Sequence, residues 1–244
     1  MKKKSLIITI PVLNEEISLV KQINVLLDYI SKNLKEKYSV SVVIANNGSN
    51  DLTQDLGKML SKQHDNVYII STAEKGVGSA LKKSWQEYPG DIQGYMDLDF
   101  STDLNHISET LTILDNNEVD IVNGSRLSKA SRVHKRNIVR TLISIAFNKI
   151  ISFVFNAKFK DGMCGFKFFQ KKSLESLLMN NSVQCNGWFF ATEFLVIAEN
   201  KGFTILDLPI NWTDSSSSKV RIFQLSLEYL KEIYILKRRL RYFS

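Results

Sequence analysis

The chain has 244 residues and a mass of 27.9 kDa, with 44% hydrophobic and 23% charged residues, which fits one globular domain with a full core. Lys+Arg 32 against Asp+Glu 25 gives +7, and Lys231, Lys237, Arg238, Arg239 and Arg241 against Glu232 supply +4 of it. Two cysteines, Cys164 and Cys185, exclude a disulfide framework and read as reduced, buried thiols; His64, His106 and His134 lack ligand spacing and read as surface residues.

The opening lysines imitate a signal peptide, but the apolar run 6–10 stops at Pro11. That is short of an h-region of roughly 7–15 residues, so it reads as a first strand. Ile17, Val20, Ile23, Leu27, Ile30 and Leu34 then recur at helical spacing as one apolar face. Continuous apolar runs at 40–45, 67–70, 93–97 and 120–123 predict buried strands, and 53–63, 79–88 and 104–116 predict helices between them. Strand and helix in alternation predict an α/β fold with a mostly parallel central sheet flanked by helices.

Such a sheet binds ligands beyond the carboxyl ends of its strands. Asn14-Glu15, Asn46-Asn47-Gly48-Ser49, Asp97-Leu98-Asp99 and Gly124-Ser125-Arg126 each follow a strand, so all four clusters converge on one edge. Asp97 and Asp99, two apart, suit one hard divalent cation completed by diphosphate oxygens and water. Asn46 to Asp51 predicts a turn, with Asp51 capping the next helix. Lys75-Gly76-Val77-Gly78-Ser79-Ala80-Leu81 has Leu81 where a dinucleotide fingerprint needs Gly, which excludes that reading but keeps a Gly-rich helix entrance near a diphosphate.

The stretch 141–155 is an apolar helix with a polar stripe of Thr141, Ser144, Asn148 and Ser152. Arg126, Arg132, Lys135, Arg136 and Arg140 precede it. Two readings stand: a core helix, or a track for an apolar tail whose anionic head meets the arginines. No uninterrupted apolar segment approaches the ~20 residues of a membrane span. After the serine run 215–218, which reads as a loop, Ile222, Leu225, Tyr229, Ile233, Leu236 and Leu240 share a helical face, with basic residues elsewhere. That predicts a domain over 1–220 and a basic amphipathic helix over 221–244. The helix either lies in an anionic membrane interface or docks on the domain or on a membrane partner protein. The basic residues accompany aliphatic rather than stacking aromatic side chains, which excludes nucleic acid.

In order along the chain, these residues resemble family 2 glycosyltransferases of the GT-A fold, in the branch of dolichyl-phosphate mannose synthases and bacterial polyprenyl-phosphate glucosyltransferases. Pro11-Val12-Leu13-Asn14-Glu15-Glu16 is similar to the family's Pro-x-x-Asn-Glu opening, and Asn46 to Asp51 to its Asp-Asp-Gly-Ser-x-Asp. Lys75 to Ala80, Asp97-Leu98-Asp99, Gly124-Ser125-Arg126, Arg140/Ser144/Asn148, Asp161 to Lys167, and Glu193 with Pro209 match its later segments. The resemblance implies that Pro11, Leu13, Glu15, Asn46, Asp51 and Gly76 bind the nucleotide-sugar donor. It implies that Asp97 and Asp99 bind Mg²⁺ or Mn²⁺, that Arg126 and Arg140 face phosphates, and that Lys219 closes over the site. Asn46 stands where a carboxylate is usual, Ser101 where a Gln is usual, and the apolar C-terminal spans of some members are missing.

The implied activity is inverting transfer of a hexose from a UDP-glucose-type or GDP-mannose-type donor. A polyprenyl phosphate acceptor, already ionised, needs cations rather than a base. A hydroxyl acceptor needs a carboxylate base, for which Asp161 and Glu193 are the candidates, with Lys167 in the same signature as Asp161. A non-catalytic nucleotide-binding scaffold is the third reading. The expected address is the cytosol, peripheral at the cytoplasmic face of the membrane.

Overall fold

The computed structural model describes residues 3–73, 75–179, 182–214 and 222–241. Lys219, the serine run and the side chains of Ile222, Leu225 and Arg241 lie outside what is described.

The first half alternates as expected: β1 (Lys4–Val12), α1 (Leu19–Asn33), β2 (Tyr38–Asn46), α2 (Thr53–Gln63), β3 (Val67–Ser71), α3 (Val77–Glu87), β4 (Ile92–Met96), α4 (Asn105–Asp115) and β5 (Ile121–Ser125). There follow β6 (Arg132–His134), α5 (Ile138–Phe155), β7 (Phe166–Gln170), α6 (Lys171–Leu178), α7 (Phe190–Asn200), β8 (Ile205–Pro209), β9 (Asn211–Thr213) and α8 (Ile222–Arg241). The main sheet runs β3-β2-β1-β4-β7-β5-β8. All its pairs are parallel except those of β7, which runs antiparallel to both β4 and β5. Phe168 of β7 crosses Gly94 of β4 so closely that a Cβ there would lie 2.3 Å from its ring, so the glycine permits the insertion.

Leu6, Ile8 and Ile10 of β1, Val42 and Ile44 of β2 and Met96 of β4 pack under α1 and α4 in one core. The helical face of α1 differs from the expected one: Leu19, Ile23, Leu26 and Ile30 are buried, while Ile17 is 95% exposed, outside the helix. The second core, around Trp85, is aromatic: its ring lies 5.4 Å from Phe169, 5.8 Å from Phe190 and 5.9 Å from Phe194.

Tyr229, Ile233 and Leu236 of α8 are buried in this second core, with Leu240 against it. The face expected to enter a membrane interface therefore packs on the domain, each side chain contributing about 1.5–3 kcal/mol of burial. His106 corrects another expectation. It is buried, with Nδ1 2.9 Å from Glu109 and Nε2 accepting the Asn211 N–H at 2.8 Å, so it ties β9 to α4. Cys164 and Cys185 are both free thiols, Cys164 buried and Cys185 half-buried.

Candidate active site

The four clusters stand together at the carboxyl edge of β1, β2, β4 and β5. After β1 the chain turns through Asn14 at φ 56°, and its loop is laced to the one after β2. Asn14 N–H donates to Ser49 Oγ at 2.9 Å, Asn50 N–H to Asn14 Oδ1 at 2.9 Å, and Glu15 N–H to Thr53 Oγ1 at 2.8 Å. Asp51 accepts from Thr53 N–H at 3.0 Å and from Glu16 N–H at 3.2 Å. Partial desolvation opposes ionisation there, yet these hydrogen bonds hold the carboxyl below its usual range. Pro11 lies opposite Ala45 one residue before the end of β1, and Leu13 stands exposed beyond it.

Asn46 serves the turn rather than reaching outward. Its Oδ1 accepts Ser49 N–H at 3.0 Å and its Nδ2 donates to Gln54 at 2.7 Å. Gly48 completes that turn at φ 72°, where a side chain would be strained. Gly76 N–H donates to Asn47 Oδ1, which joins the Gly-rich segment to the same loop.

At the end of β4, Asp97 sits partly buried and Asp99 exposed, with Phe100 after them at φ 47°. A non-glycine residue in this region stores strain of order 1 kcal/mol or more, a feature that gathers at functional sites. Burial, and then the Asp99 charge, push the Asp97 carboxyl up to about 7. A Cβ on Gly165 would lie 2.1 Å from Asp97 Oδ2, so the carboxylate rests in a cradle only glycine leaves open. No group of three or more metal-ligating side chains occurs among the described residues. The pair therefore suits a cation that takes its remaining ligands from a bound diphosphate and water.

Arg126, after β5, is bound by Asp161 from three sides: its N–H at 3.0 Å, Nε at 2.7 Å and Nη2 at 2.9 Å. Burial disfavours both charges, but their attraction outweighs it, holding Asp161 below and Arg126 above the usual range. Trp212 of β9 lies 5.6 Å from the Arg126 guanidinium and 5.4 Å from that of Arg136. Burial, and then repulsion from Arg126, lower Arg136 to about 10; it donates to Ser144 Oγ at 2.6 Å. Lys167 is fully buried, donating to the Cys164 carbonyl, and burial lowers its pKa.

Two residues of the α5 polar stripe, Ser144 and Asn148, face this cluster with Arg140 beside them, while Ser152 is exposed and donates to the Ala157 carbonyl at 2.9 Å. Arg140 Nη1 meets Asp214 at 3.4 Å, Ser144 receives Arg136, and Asn148 Oδ1 accepts Gly162 N–H at 2.9 Å. Both candidate bases have partners in the structure. Asp161 holds Arg126, and Glu193, 2% exposed, accepts two backbone N–H groups and Arg239. Trp212 was not among the candidates; its only signal was an aromatic residue between polar neighbours just past a strand end. The larger cavity, about 370 Å³ beside Lys3, Lys4 and Asp91, lies at the opposite edge of the sheet and takes no part in this cluster.

A mostly parallel α/β sheet with a carboxylate pair at the end of its fourth strand is the architecture of the GT-A fold. The model of glycosyl transferase family 2 matches residues 7–178, and the chain belongs to that family. Glycosyltransferase AglD of Haloferax volcanii is 31% identical over 180 residues, 73% of this chain and 28% of that protein. Dolichyl-phosphate beta-glucosyltransferase ALG5A of Trichomonas vaginalis is 29% identical over 222 residues, 88% of this chain and 68% of that one. The Homo sapiens dolichyl-phosphate beta-glucosyltransferase is 27% identical over 253 residues, covering 99% and 76%. Among solved structures, glucosyl-3-phosphoglycerate synthase of Mycobacterium tuberculosis with Mn²⁺, UDP-glucose and phosphoglyceric acid has TM-score 0.69 at 15% identity, over 96% of this chain and 80% of that one. That likeness concerns the fold.

Proposed function

We propose that this chain moves a hexose from a nucleoside-diphosphate sugar to a polyprenyl phosphate at the cytoplasmic face of a membrane, with inversion. One observation carries the acceptor: α5 is an inside-out amphipathic helix. Its polar residues Arg140, Ser144 and Asn148 turn inward, while Ile138, Val139, Leu142 and Phe153 are 75%, 56%, 60% and 90% exposed. Its 18 residues have mean hydropathy 1.7 and are only 17% buried, which argues against the core-helix reading. A phosphate head at the arginines with its tail along the outer face suits that division.

The carboxylates point the same way. A hydroxyl acceptor needs a base, and the two candidates are held in ion pairs; an ionised phosphate needs none. Arg136, losing solvation and repelled by Arg126, gains most from a bound anion. The relatives named for dolichyl phosphate support this acceptor.

On the donor side, Asp97 and Asp99 would hold Mg²⁺ or Mn²⁺, which when bound neutralises charge on the departing diphosphate. Pro11, Leu13, Glu15, Asp51 and the Gly76 turn stand around the same edge for the nucleoside and diphosphate, with Asn46 holding the loop in shape. Leu227, Leu230, Tyr234 and Ile235 of α8 are also exposed, and α8 packs beside α5, where the Phe147 and Tyr229 rings lie 5.5 Å apart. These outer faces, with Lys149, Lys231 and Arg238, form the surface we assign to the anionic membrane.

Purified protein with Mn²⁺ or Mg²⁺ and UDP- or GDP-sugars tests the reading. Nucleoside diphosphate is released with a short polyprenyl phosphate and not with the corresponding alcohol. Transfer to the alcohol alone would overturn the lipid-phosphate assignment.

A further inference from the structure

Residues 184–186 form a strut between the last turn of α8 and the Gly-rich donor segment. On one side, Glu193 of α7 accepts the Gln184 N–H at 3.0 Å and the Cys185 N–H at 2.7 Å, and Arg239 of α8 donates to the same carboxylate. On the other side, the Asn186 carbonyl accepts the Gly78 N–H at 2.9 Å and the Ser79 N–H at 3.4 Å. The fit is tight: a Cβ on Gly76 would lie 2.5 Å from Asn186 O, and one on Gly78 2.7 Å from Cys185 O. Lys82 Nζ adds a bond to Asn186 Oδ1 at 2.7 Å.

Behind the strut there is space. A cavity of about 250 Å³ lies there, bordered by Gln184, Cys185, Glu193, Glu232, Leu236 and Arg239 among others. On this side the Glu193 carboxylate is the polar anchor of the strut, while Val183 and Cys185 pack against the second core. That carboxylate is 2% exposed and needs a cation to be stable as an anion. The Arg239 side chain, 15% exposed, supplies it.

We infer that Arg239 is a positioning residue for the donor: through Glu193 and residues 184–186 it sets the position of the Gly76–Gly78 backbone that borders the diphosphate. This rests on the donor assignment above. It also gives α8 a task besides covering the core, since how α8 is seated fixes the shape of the donor segment.

The test uses the whole protein with Mn²⁺ and UDP or GDP, comparing wild type, Arg239→Ala, Arg239→Lys and Glu193→Gln. Arg239→Ala weakens nucleotide binding and raises the donor KM by about tenfold, with acceptor KM and kcat within about twofold, and Arg239→Lys recovers most of the loss. Hydrogen exchange quickens in the peptide spanning Gly76 to Leu81 and stays unchanged in α2. Unchanged donor affinity and unchanged exchange in that peptide overturn the inference. So does a loss spread equally over donor, acceptor and kcat. If Arg239→Ala does not fold, Glu193→Gln, which keeps one acceptor oxygen and removes the charge, decides by the same readouts. Wild type that binds neither nucleotide overturns the donor assignment instead, while the exchange measurement still reports on the strut.

Discussion

In protein stripped of divalent cations, the melting temperature falls as pH rises from about 5 to about 8, and Asp97→Asn flattens that fall. The Asp97 carboxyl moves from 3.8 to about 7 because it is buried and because Asp99 is beside it. Unfolded, it loses its proton near the lower value; folded, near the upper one. Between them the unfolded chain binds fewer protons, so stability declines as pH rises and levels off above the folded pKa. Three units at 1.36 kcal/mol each make about 4 kcal/mol in all, of which about 2.5 kcal/mol falls between pH 5 and pH 8. For a domain of this size that is a drop of about 5–10 °C. Thermal melts in a chelator, with wild type and Asp97→Asn side by side, isolate this carboxyl from every other titrating group. Adding Mn²⁺ at the upper pH raises the melting temperature of the wild type and leaves that of the variant unchanged. Parallel profiles for the two proteins would refute the reasoning.

Asp161→Asn, which leaves Arg126 buried without its partner, costs about 3–5 kcal/mol in urea unfolding; an apolar pair at both positions recovers most of it. A loss under about 1 kcal/mol would mean the pair is not buried in solution. Gly165→Ala drives a methyl into Asp97 and weakens Mn²⁺ binding by about tenfold or more, read by titration calorimetry; unchanged affinity excludes Asp97 as a ligand. Leu142→Glu with Phe153→Glu lowers co-sedimentation with anionic vesicles by about tenfold or more and shifts the melt little, because both side chains are exposed. Equal partitioning of variant and wild type would place the membrane surface elsewhere.

The first five strands were legible because each is an apolar run bounded by polar turn residues, and α2 was read to its bounds at Thr53–Gln63. In α1, Ile23 and Ile30 were read on the buried face, but Leu19–Val20 and Leu26–Leu27 are adjacent apolar pairs that periodicity cannot rank. β7 stayed hidden because Lys167 interrupts Phe166 and Phe168, and nothing local tells that its ammonium finds the Cys164 carbonyl inside the sheet. For α5 the stripe was visible but its direction was not. Polar residues normally face water, and here Arg136 and Gly162 turn Ser144 and Asn148 inward, while Ser152 stays exposed. The partners of Asp161 and Glu193 come from residues 35 and 46 positions away, beyond any motif.

The place of β7 in the sheet bears on how the chain is made. The half-sheet β3-β2-β1-β4 is complete once Met96 has been synthesised. β5 follows at residues 121–125 but has no neighbour until β7 arrives at residues 166–170. For roughly 4–15 s at roughly 5–20 residues per second, a nascent chain carries β4 with one edge unpaired, a template for pairing with another chain. The strand that later seats Gly165 against Asp97 is also the one that closes that edge. The seating of the Asp97 carboxylate and the end of this exposure are thus one event in the life of each molecule.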